Sequence, residues 1–291
     1  MAISSAGGPL QELEALVSRL EGLSAQPRVS EDYIRFRVAL LRAQWAVRQA
    51  LAGDAADRVE PAAPDPAHVA FEPGLLRSLF QAIVAATPAE GRTEDVARLR
   101  AAADADPILL EAVARAAAFG PDLETLESRA RQLGVMVDAL LFVGRAAAAP
   151  FVAEAVAARS GGGGQGRAGA EPHRCPACGS SPSIARLRRA DGRRLLTCGL
   201  CGSEWEAARM ACACCGTREP ESLGILRLDD ADPRWIETCE ACKGYIKTVD
   251  ERRLAEGETV FPVVEEAATL HLDLLAEREG YIRRVPYVLA G

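Results

Sequence analysis

The sequence predicts an α+β protein, in which an N-terminal all-α domain is followed by two tandem metal modules and a C-terminal helix. Two observations lead to this prediction. The first half is rich in alanine, leucine and arginine, has apolar residues at helical spacing and contains no cysteine. The second half contains all nine cysteines, and eight of them form Cys-x-x-Cys pairs between short segments typical of β-hairpins.

Length and composition describe an ordinary globular chain. It has 291 residues, 49% hydrophobic and 26% charged, which is enough for two domains. The longest apolar stretch, residues 139–156, is interrupted by Arg145, Pro150 and Glu154, so we expect no membrane span. Residues 1–9 have neither the basic start nor the apolar core of a secretory signal peptide, which predicts a cytoplasmic protein.

Residues 1–160 form the predicted all-α domain. Ser30 and the acidic residues after it are typical of a helix cap, and they precede a long amphipathic pattern that extends to residue 50. The proline-rich residues 53–68 are a predicted connection, where His68 is better explained as an exposed loop residue than as a ligand. Other helical patterns cover residues 10–23, 73–86, 93–103, 107–118, 123–132 and 135–158.

The order of the cysteine pairs predicts which of them meet. Strand-like residues 184–187 and 194–197 flank an Asp-Gly turn, and this hairpin returns the second pair to the first. Residues 223–228 and 234–238 flank an acidic turn and repeat the plan, which indicates an internal duplication. We therefore predict modules at 171–209 and 210–250, each with a four-sulfur metal site: Cys175, Cys178, Cys198 and Cys201 in the first, and Cys212, Cys215, Cys239 and Cys242 in the second.

Glycines follow the second cysteine of the first two pairs, where a left-handed conformation turns backbone N–H groups toward sulfur. This knuckle is typical of rubredoxin-like and zinc-ribbon modules. Structural disulfides, which need an oxidising compartment, and a thioredoxin-like redox motif, which would occur once before a helix, are the alternatives. Four thiolates suit iron or zinc equally by geometry. With two divalent ions bound, the formal charge would change from −7 to about −11.

Five arginines surround the first hairpin and have two interpretations. They could offset the charge of its metal site, or they could bind nucleic acid as basic hairpins of many ribbon modules do. The acidic chain disfavours nucleic acid as a partner. These residues are Arg186, Arg188, Arg189, Arg193 and Arg194.

The remaining segments connect and close the chain. Residues 161–170 contain six glycines and predict a flexible linker, because the Gly-Lys-Ser/Thr end of a phosphate-binding loop is missing. Residues 243–249 predict a last strand, and residues 263–278 a closing amphipathic helix within a tail at 251–291. His271 on that helix is better explained as a boundary residue than as a ligand, and Cys214 is the one cysteine outside the pairs.

Several motifs resemble the FdhE family of formate dehydrogenase accessory proteins. The similarity lies in Cys-Pro-Ala-Cys-Gly-Ser-Ser-Pro at 175–182, Leu-Thr-Cys-Gly-Leu-Cys-Gly-Ser-Glu-Trp at 196–205, the Cys212/Cys215 pair, Cys-Glu-Ala-Cys-Lys-Gly-Tyr-Ile-Lys at 239–247 and Glu-Gly-Tyr-Ile-Arg-Arg at 279–284. Residues 33–36 and 42–44 resemble the family's early helix. Cys214 departs from the simple pattern and leaves open which thiols among Cys212, Cys214 and Cys215 hold metal.

The resemblance implies a cytoplasmic, non-catalytic maturation factor with rubredoxin-type sites. Its client would be the catalytic subunit of respiratory formate dehydrogenase, bound before twin-arginine export, and its metal would be iron first and zinc second. Closed four-sulfur sites leave no position for a substrate, which agrees with a non-enzyme. A rubredoxin-like electron carrier and a ribbon-type nucleic-acid binder are the alternatives. We also expect the client to be held between the helical domain and the metal modules.

Overall fold

The structure of the protein is a computed structural model. It describes residues 9–26, 29–53, 69–88, 93–119, 123–160 and 171–283. The predicted glycine linker at 161–170, most of the proline-rich connection and His68 lie outside these residues.

The N-terminal half is helical, which confirms the prediction from the apolar periodicity. Acidic side chains begin two of its helices: Glu72 accepts from the backbone N–H of Gly74 at 2.9 Å, and Asp106 accepts from Ile108 at 2.9 Å. The backbone hydrogen bonds to Glu72 lower the pKa of its carboxyl. The described helices are α1 Pro9–Gly22, α2 Glu31–Gly53, α3 Pro73–Ala86, α4 Thr93–Ala105, α5 Pro107–Ala118, α6 Leu123–Leu133 and α7 Val137–Ser160.

Helix α7 lies at the centre of the helical core. Phe142 contacts Phe36 of α2 with ring centroids 5.8 Å apart, and Phe151 contacts Phe71 at 5.3 Å. By length and composition α7 could cross a membrane, but 78% of its apolar stretch is buried inside the protein. Its Arg145 is also buried and donates to the carbonyl oxygens of Ala117 and Ala118, so the charge is solvated by the protein itself. Such burial is typical of the core helix of a globular domain.

The second half forms one mixed sheet with strand order β3-β2-β1-β6-β5-β4. The two predicted hairpins are antiparallel, and the parallel pairing of β1 with β6 joins them. Strand β7 also pairs with β6, at its first two residues, while β1 pairs further along the same strand. The strands are β1 Pro182–Leu187, β2 Arg194–Cys198, β3 Glu204–Ala207, β4 Leu223–Leu226, β5 Arg234–Cys239, β6 Gly244–Asp250 and β7 Ile282–Arg283.

The closing helix is divided into α8 Pro262–Ala268 and α9 Leu270–Arg278. The division falls at Thr269, whose hydroxyl donates to the carbonyl oxygen of Glu265 at 2.6 Å and whose ψ of 26° departs from helical geometry. Helix α9 covers a buried ion cluster in which Lys247 of β6 donates to Asp273 at 2.7 Å. The cluster fixes this helix against the sheet.

The helical half and the sheet half pack directly against each other at two places. Three cysteines of the first predicted metal module share one apolar core with α2, α3, α5 and α7. Arg145 of α7 donates to the hydroxyl of Ser180 at 2.6 Å in the same region. At the second place, α8 packs on α1 and α2, and Arg37 of α2 donates to the carbonyl oxygen of Val263 at 3.3 Å. The halves are therefore docked through buried contacts.

Candidate metal centres

Among the described residues, the structure brings eight cysteines together as two groups of four. In each group the four sulfur atoms all lie within 4.8 Å of one another, and the cysteines form no disulfide. The first group contains Cys175, Cys178, Cys198 and Cys201, and the second contains Cys212, Cys215, Cys239 and Cys242.

The sulfur separations test whether each group fits a metal ion. Four thiolates at about 2.3 Å from a central zinc or iron form a tetrahedron whose edges are about 3.8 Å. The Cys175 and Cys201 sulfurs are 3.7 Å apart, and the Cys178 and Cys198 sulfurs are 3.5 Å apart. In the second group, two sulfur pairs both measure 3.8 Å. A disulfide would need about 2.05 Å. Both groups therefore have the dimensions of a four-thiolate cage that could hold a metal ion.

Tight turns place the two cysteines of each pair on the same side of the backbone. In the first turn, the N–H of Gly179 donates to the carbonyl oxygen of Cys175 at 2.8 Å. Gly179 has φ 79°, and the corresponding Gly202 and Gly216 have φ 75° and 78°. These are left-handed conformations that glycine adopts without a steric penalty. The fourth turn has Lys243 at this position with φ 53°, and its ammonium pairs with Glu240 across the turn.

Backbone N–H groups point at the sulfur atoms. The sulfur of Cys198 accepts from Leu200 at 3.4 Å and from Cys201 at 3.5 Å. In the second group the sulfur of Cys212 accepts in the same way from Cys215 at 3.5 Å. Such hydrogen bonds stabilise the thiolate form, which is the form that binds metal.

The thiols of each group also interact through their protons. In the first group, hydrogen bonding with Cys175 raises the pKa of Cys178, while the same contact lowers the pKa of Cys175. In the second group, interaction with the neighbouring Cys214 side chain lowers the pKa of Cys212 to about 4. Burial raises the pKa of Cys242 to about 12. A divalent cation would stabilise four thiolates at once and replace these shared protons.

The two groups differ in their surroundings. Cys175, Cys178 and Cys198 are buried in the core that the helical half provides, and Cys201 is half-buried. In the second group, Cys215 is exposed. The helical half therefore covers the first group of cysteines, whereas the second group includes an exposed cysteine.

Cys214 lies beside the second centre but outside its group of four. Its backbone N–H donates to the sulfur of Cys212 at 3.2 Å, and its thiol donates to the carbonyl oxygen of Tyr245 at 3.6 Å. Hydrogen bonding with Cys212 and then burial raise the pKa of the Cys214 thiol. The ninth cysteine thus contacts Cys212 of the second group, while its own sulfur is directed to the backbone of β6.

The arginines of the first hairpin are engaged by groups of the protein itself. Arg186 pairs with Glu204 at 2.8 Å and with Glu251 at 2.6 Å. The other four bind carboxylates or backbone carbonyl groups: Arg188 binds Asp191, Arg189 binds Leu254, Ala255 and Glu258, Arg193 binds Glu206, and Arg194 binds Glu237. These arginines therefore interact with carboxylates and backbone carbonyl groups of the protein, rather than with the sulfur atoms of the cysteine groups.

His173 is a residue that the sequence did not single out. Its imidazole lies against Gly216, where an added Cβ would come within 2.6 Å of Nδ1. The residue precedes the first pair of cysteines and contacts the turn of the third pair, so it connects the two modules. In the sequence, the only signal for a role of His173 is that it lies two residues before Cys175. His271 lines a cavity between α1 and α8 whose lining contains no cysteine.

Fold and site together define a class of protein: a helical domain docked on a sheet domain that carries two closed four-cysteine centres. The model of the FdhE central domain matches residues 174–209, and the model of the FdhE C-terminal domain matches residues 210–289. Over residues 174–289, the chain is therefore similar to the FdhE family.

Individual relatives agree with these models. A protein named Protein FdhE homolog from Aquifex aeolicus is 37% identical over 112 residues, which are 38% of this chain and 38% of that relative. A Protein FdhE homolog from Pseudomonas aeruginosa is 35% identical over 126 residues, 40% of this chain and 38% of the relative. The matched part is thus well under half of each relative's length.

The fold extends the similarity to the helical half. The crystal structure of the FdhE protein from Pseudomonas aeruginosa superimposes with a TM-score of 0.59 and covers 94% of this chain and 94% of that chain. The sequence identity of that pair is 24%, so this comparison establishes the shared fold.

Proposed function

We propose that this chain is a non-catalytic accessory protein needed to form active respiratory formate dehydrogenase. It binds the catalytic subunit of that enzyme in the cytoplasm, before twin-arginine export of the complex. The observation that carries this proposal is the match of residues 174–289 to the FdhE central and C-terminal domains. In the sequence motifs around all four cysteine pairs, the chain resembles the FdhE family of formate dehydrogenase accessory proteins.

The proposal includes two bound metal ions, one in each group of four cysteines. Sulfur separations of 3.5 to 3.8 Å support it, because they suit a four-thiolate shell around zinc or iron. Iron is our first choice, on family resemblance, and zinc is the second. Bound metal would supply the cross-link that holds each pair of turns together.

A structural or binding role fits these centres better than catalysis. Four protein sulfurs complete a tetrahedral shell, so a substrate would have to displace a ligand to reach the metal. The arginines of the first hairpin are engaged by carboxylates and carbonyls, which disfavours binding of a nucleic-acid backbone there. An electron carrier would need only the metal modules, so the helical half would have no role in it. A client-binding protein, in contrast, can use the large surface that the helical half supplies.

Genetic complementation tests the proposal. A strain that lacks its own FdhE gene should regain formate dehydrogenase activity when it expresses this chain, and the chain should copurify with the catalytic subunit from a cytoplasmic extract. A strain that regains activity without any association between the two proteins would contradict the binding role. Formate oxidation by the purified chain alone would contradict the non-catalytic assignment.

Metal analysis tests the two centres separately from the client. Protein purified anaerobically without chelators should contain two metal ions per chain. Changing Cys178→Ser or Cys239→Ser should lower the content to about one, because each change leaves only three thiolates in one cage. A metal content that does not respond to either change would contradict the assignment.

A further inference from the structure

In three of the four cysteine turns, a hydroxyl residue stands two positions after the second cysteine. It is Ser180 in the first turn, Ser203 in the second and Thr217 in the third, whereas the fourth turn has Gly244 there. In each of the three, the backbone carbonyl oxygen of this residue accepts from the N–H of the first cysteine of the turn, at 2.8 to 2.9 Å. The three turns are therefore built alike, and the three side chains start from equivalent positions.

The three hydroxyl groups nevertheless have different partners. The hydroxyl of Ser180 accepts from Arg145 at 2.6 Å, and that of Thr217 accepts from the backbone N–H of Glu219 at 3.5 Å. The hydroxyl of Ser203 instead lies 3.2 Å from the sulfur of Cys201, in the first group of four cysteines. Of these three described hydroxyls, that of Ser203 is therefore the one that bonds to a sulfur.

The direction of the hydrogen bond between Cys201 and Ser203 depends on the state of the sulfur. In the structure the thiol donates its proton to the hydroxyl oxygen. A thiolate has no proton to donate, and because a serine hydroxyl can rotate to suit its partner, it then donates to the sulfur. Cysteine binds metal as the thiolate. When a metal is bound, Ser203 is therefore a hydrogen-bond donor to one ligand of the first group.

The backbone around Ser203 keeps the hydroxyl beside the sulfur. Gly202 before it is left-handed with φ 75°, and Glu204 after it pairs with Thr197 in the ladder of β2 and β3. Cys201 and Ser203 are both half-buried, so the contact between them is partly shielded from water. A hydrogen bond to a charged group is stronger in such surroundings than in bulk water.

We propose that Ser203 is a positioning residue of the first metal centre, which orients the Cys201 side chain and lowers the electron density on its sulfur. Hydrogen bonds to ligand sulfurs are one of the means by which proteins set the reduction potential of an iron–thiolate site. The reduced site carries one more negative charge than the oxidised site, so a donor stabilises the reduced state more and raises the potential. The inference rests on the metal binding included in the proposed function, and it adds a residue that acts on one centre alone.

Substitution of Ser203 in the full-length, iron-loaded chain tests this role, with a reductive titration followed by visible absorbance. Ser203→Ala should shift the redox equilibrium of one centre about tenfold toward the oxidised state, a decrease of about 59 mV for a one-electron couple. The metal content should stay the same. The matched control Thr217→Val deletes the equivalent hydroxyl beside the second group, and it should leave both potentials unchanged.

A pair of variants of similar size separates the hydrogen bond from packing. Ser203→Thr and Ser203→Val both add volume at this position, but only threonine keeps a hydroxyl. Ser203→Thr should have the original potential, and Ser203→Val should have the lowered one. Equal potentials for this pair, or a shift in Thr217→Val as large as that in Ser203→Ala, would overturn the proposal.

Zinc-loaded protein gives a readout without electron transfer. The nucleophilicity of a thiolate changes about threefold for a tenfold change in its basicity. Iodoacetamide should therefore alkylate Cys201 about threefold faster in Ser203→Ala than in the original chain, because the sulfur has lost a donor. The rate at Cys215 of the second group should not change. Mass spectrometry of the labelled peptides measures both rates, and an unchanged rate at Cys201 would contradict the proposal.

The outcomes separate this inference from the proposed function. If the original chain binds no metal, the metal centres of the proposed function fail and this inference fails with them. If the chain binds metal in both groups and Ser203→Ala changes neither the potential nor the alkylation rate, only the role of Ser203 is wrong. If Ser203→Ala changes both while the original chain does not restore formate dehydrogenase activity, the role of Ser203 stands and the accessory function fails.

Discussion

At the scale of single residues, the four cysteine turns show how much of each centre depends on backbone conformation. Gly202 and Gly216 follow the second cysteine of their pairs with φ 75° and 78°, in the left-handed region. An added Cβ at Gly202 would meet nothing within 4 Å, whereas one at Gly216 would lie 2.6 Å from Nδ1 of His173. The two positions therefore separate conformational strain from steric overlap.

We predict that Gly216→Ala destabilises the protein more than Gly202→Ala. Alanine in the left-handed region costs about 1–2 kcal/mol at either position, and overlap with His173 should add about 1 kcal/mol or more at Gly216. Urea unfolding of the metal-loaded proteins measures the difference. The double variant His173→Ala with Gly216→Ala should recover the added part of the loss, and equal stabilities of the two single variants would contradict the steric explanation.

Another residue-scale prediction concerns the contact between Arg145 and Ser180. The hydroxyl of Ser180 is buried and accepts from the guanidinium at 2.6 Å, at the contact of α7 with the first cysteine turn. Ser180→Ala should lower the free energy of unfolding by about 1–3 kcal/mol, because it removes an acceptor from a buried charge. The neighbouring Ser181 binds Arg174 in an exposed position at 2.7 Å, so Ser181→Ala is the matched control with an expected loss under about 0.5 kcal/mol. Similar losses for both variants would mean that burial of the contact has no effect.

At the scale of elements, the two centres have similar turns in different surroundings. The first is enclosed by α5, α7 and their neighbours, and the second faces solvent through Cys215. A chelator reaches a metal by displacing an accessible ligand, so exposure of one sulfur should control the rate of metal loss. The difference between the centres is therefore expected to appear as a difference in kinetics.

We expect a chelator to remove metal from the protein in two phases, with the second centre emptied first. A colorimetric chelator would follow release from the full-length chain, and mass spectrometry after thiol alkylation would identify which cysteines become reactive. Cys215 and Cys242 should be labelled before Cys175 and Cys178. Simultaneous labelling of both groups would show that the helical half does not protect the first centre.

The sequence predicts these elements well where the signal is local. Apolar residues at helical spacing identify the helices, and an Asp-Gly turn in the first half and an acidic turn in the second identify the two hairpins. The eight paired cysteines meet in the structure because each hairpin is short. The break at Thr269 was not predicted, because a threonine hydroxyl can bond to the preceding turn or to solvent without changing the apolar pattern.

Long-range features could not be predicted in the same way. The parallel pairing of β1 with β6 joins residues more than sixty positions apart, and β7 adds only Ile282 and Arg283 to the same strand. Docking of the first cysteine turns onto α7 depends on Arg145, which looks in the sequence like an interruption of an apolar helix. Its role as a buried donor to Ala117, Ala118 and Ser180 follows only from the packed structure.

At the scale of the whole molecule, two buried contacts hold the helical half against the sheet half. One surrounds the first centre, and the other joins α8 with α1 and α2, where Ala267 is completely buried among Leu13, Val17 and Leu20. Both contacts bury apolar surface, which is the main source of association energy between folded units. The two halves should therefore recognise each other without a covalent connection through residues 161–170.

We predict that a fragment of residues 1–160 and a fragment of residues 171–291, coexpressed, copurify as a one-to-one complex. Separately expressed, the first fragment should bind the dye ANS and unfold at a lower temperature than the complex, because the apolar face that covers Cys175 and Cys178 is then exposed to water. Ser180→Ala in the second fragment should weaken the complex, and Ser181→Ala should leave it intact. If the fragments elute separately as stable monomers, the contacts described here are too weak to hold the halves together, and a client gripped between them would have to bring them into place.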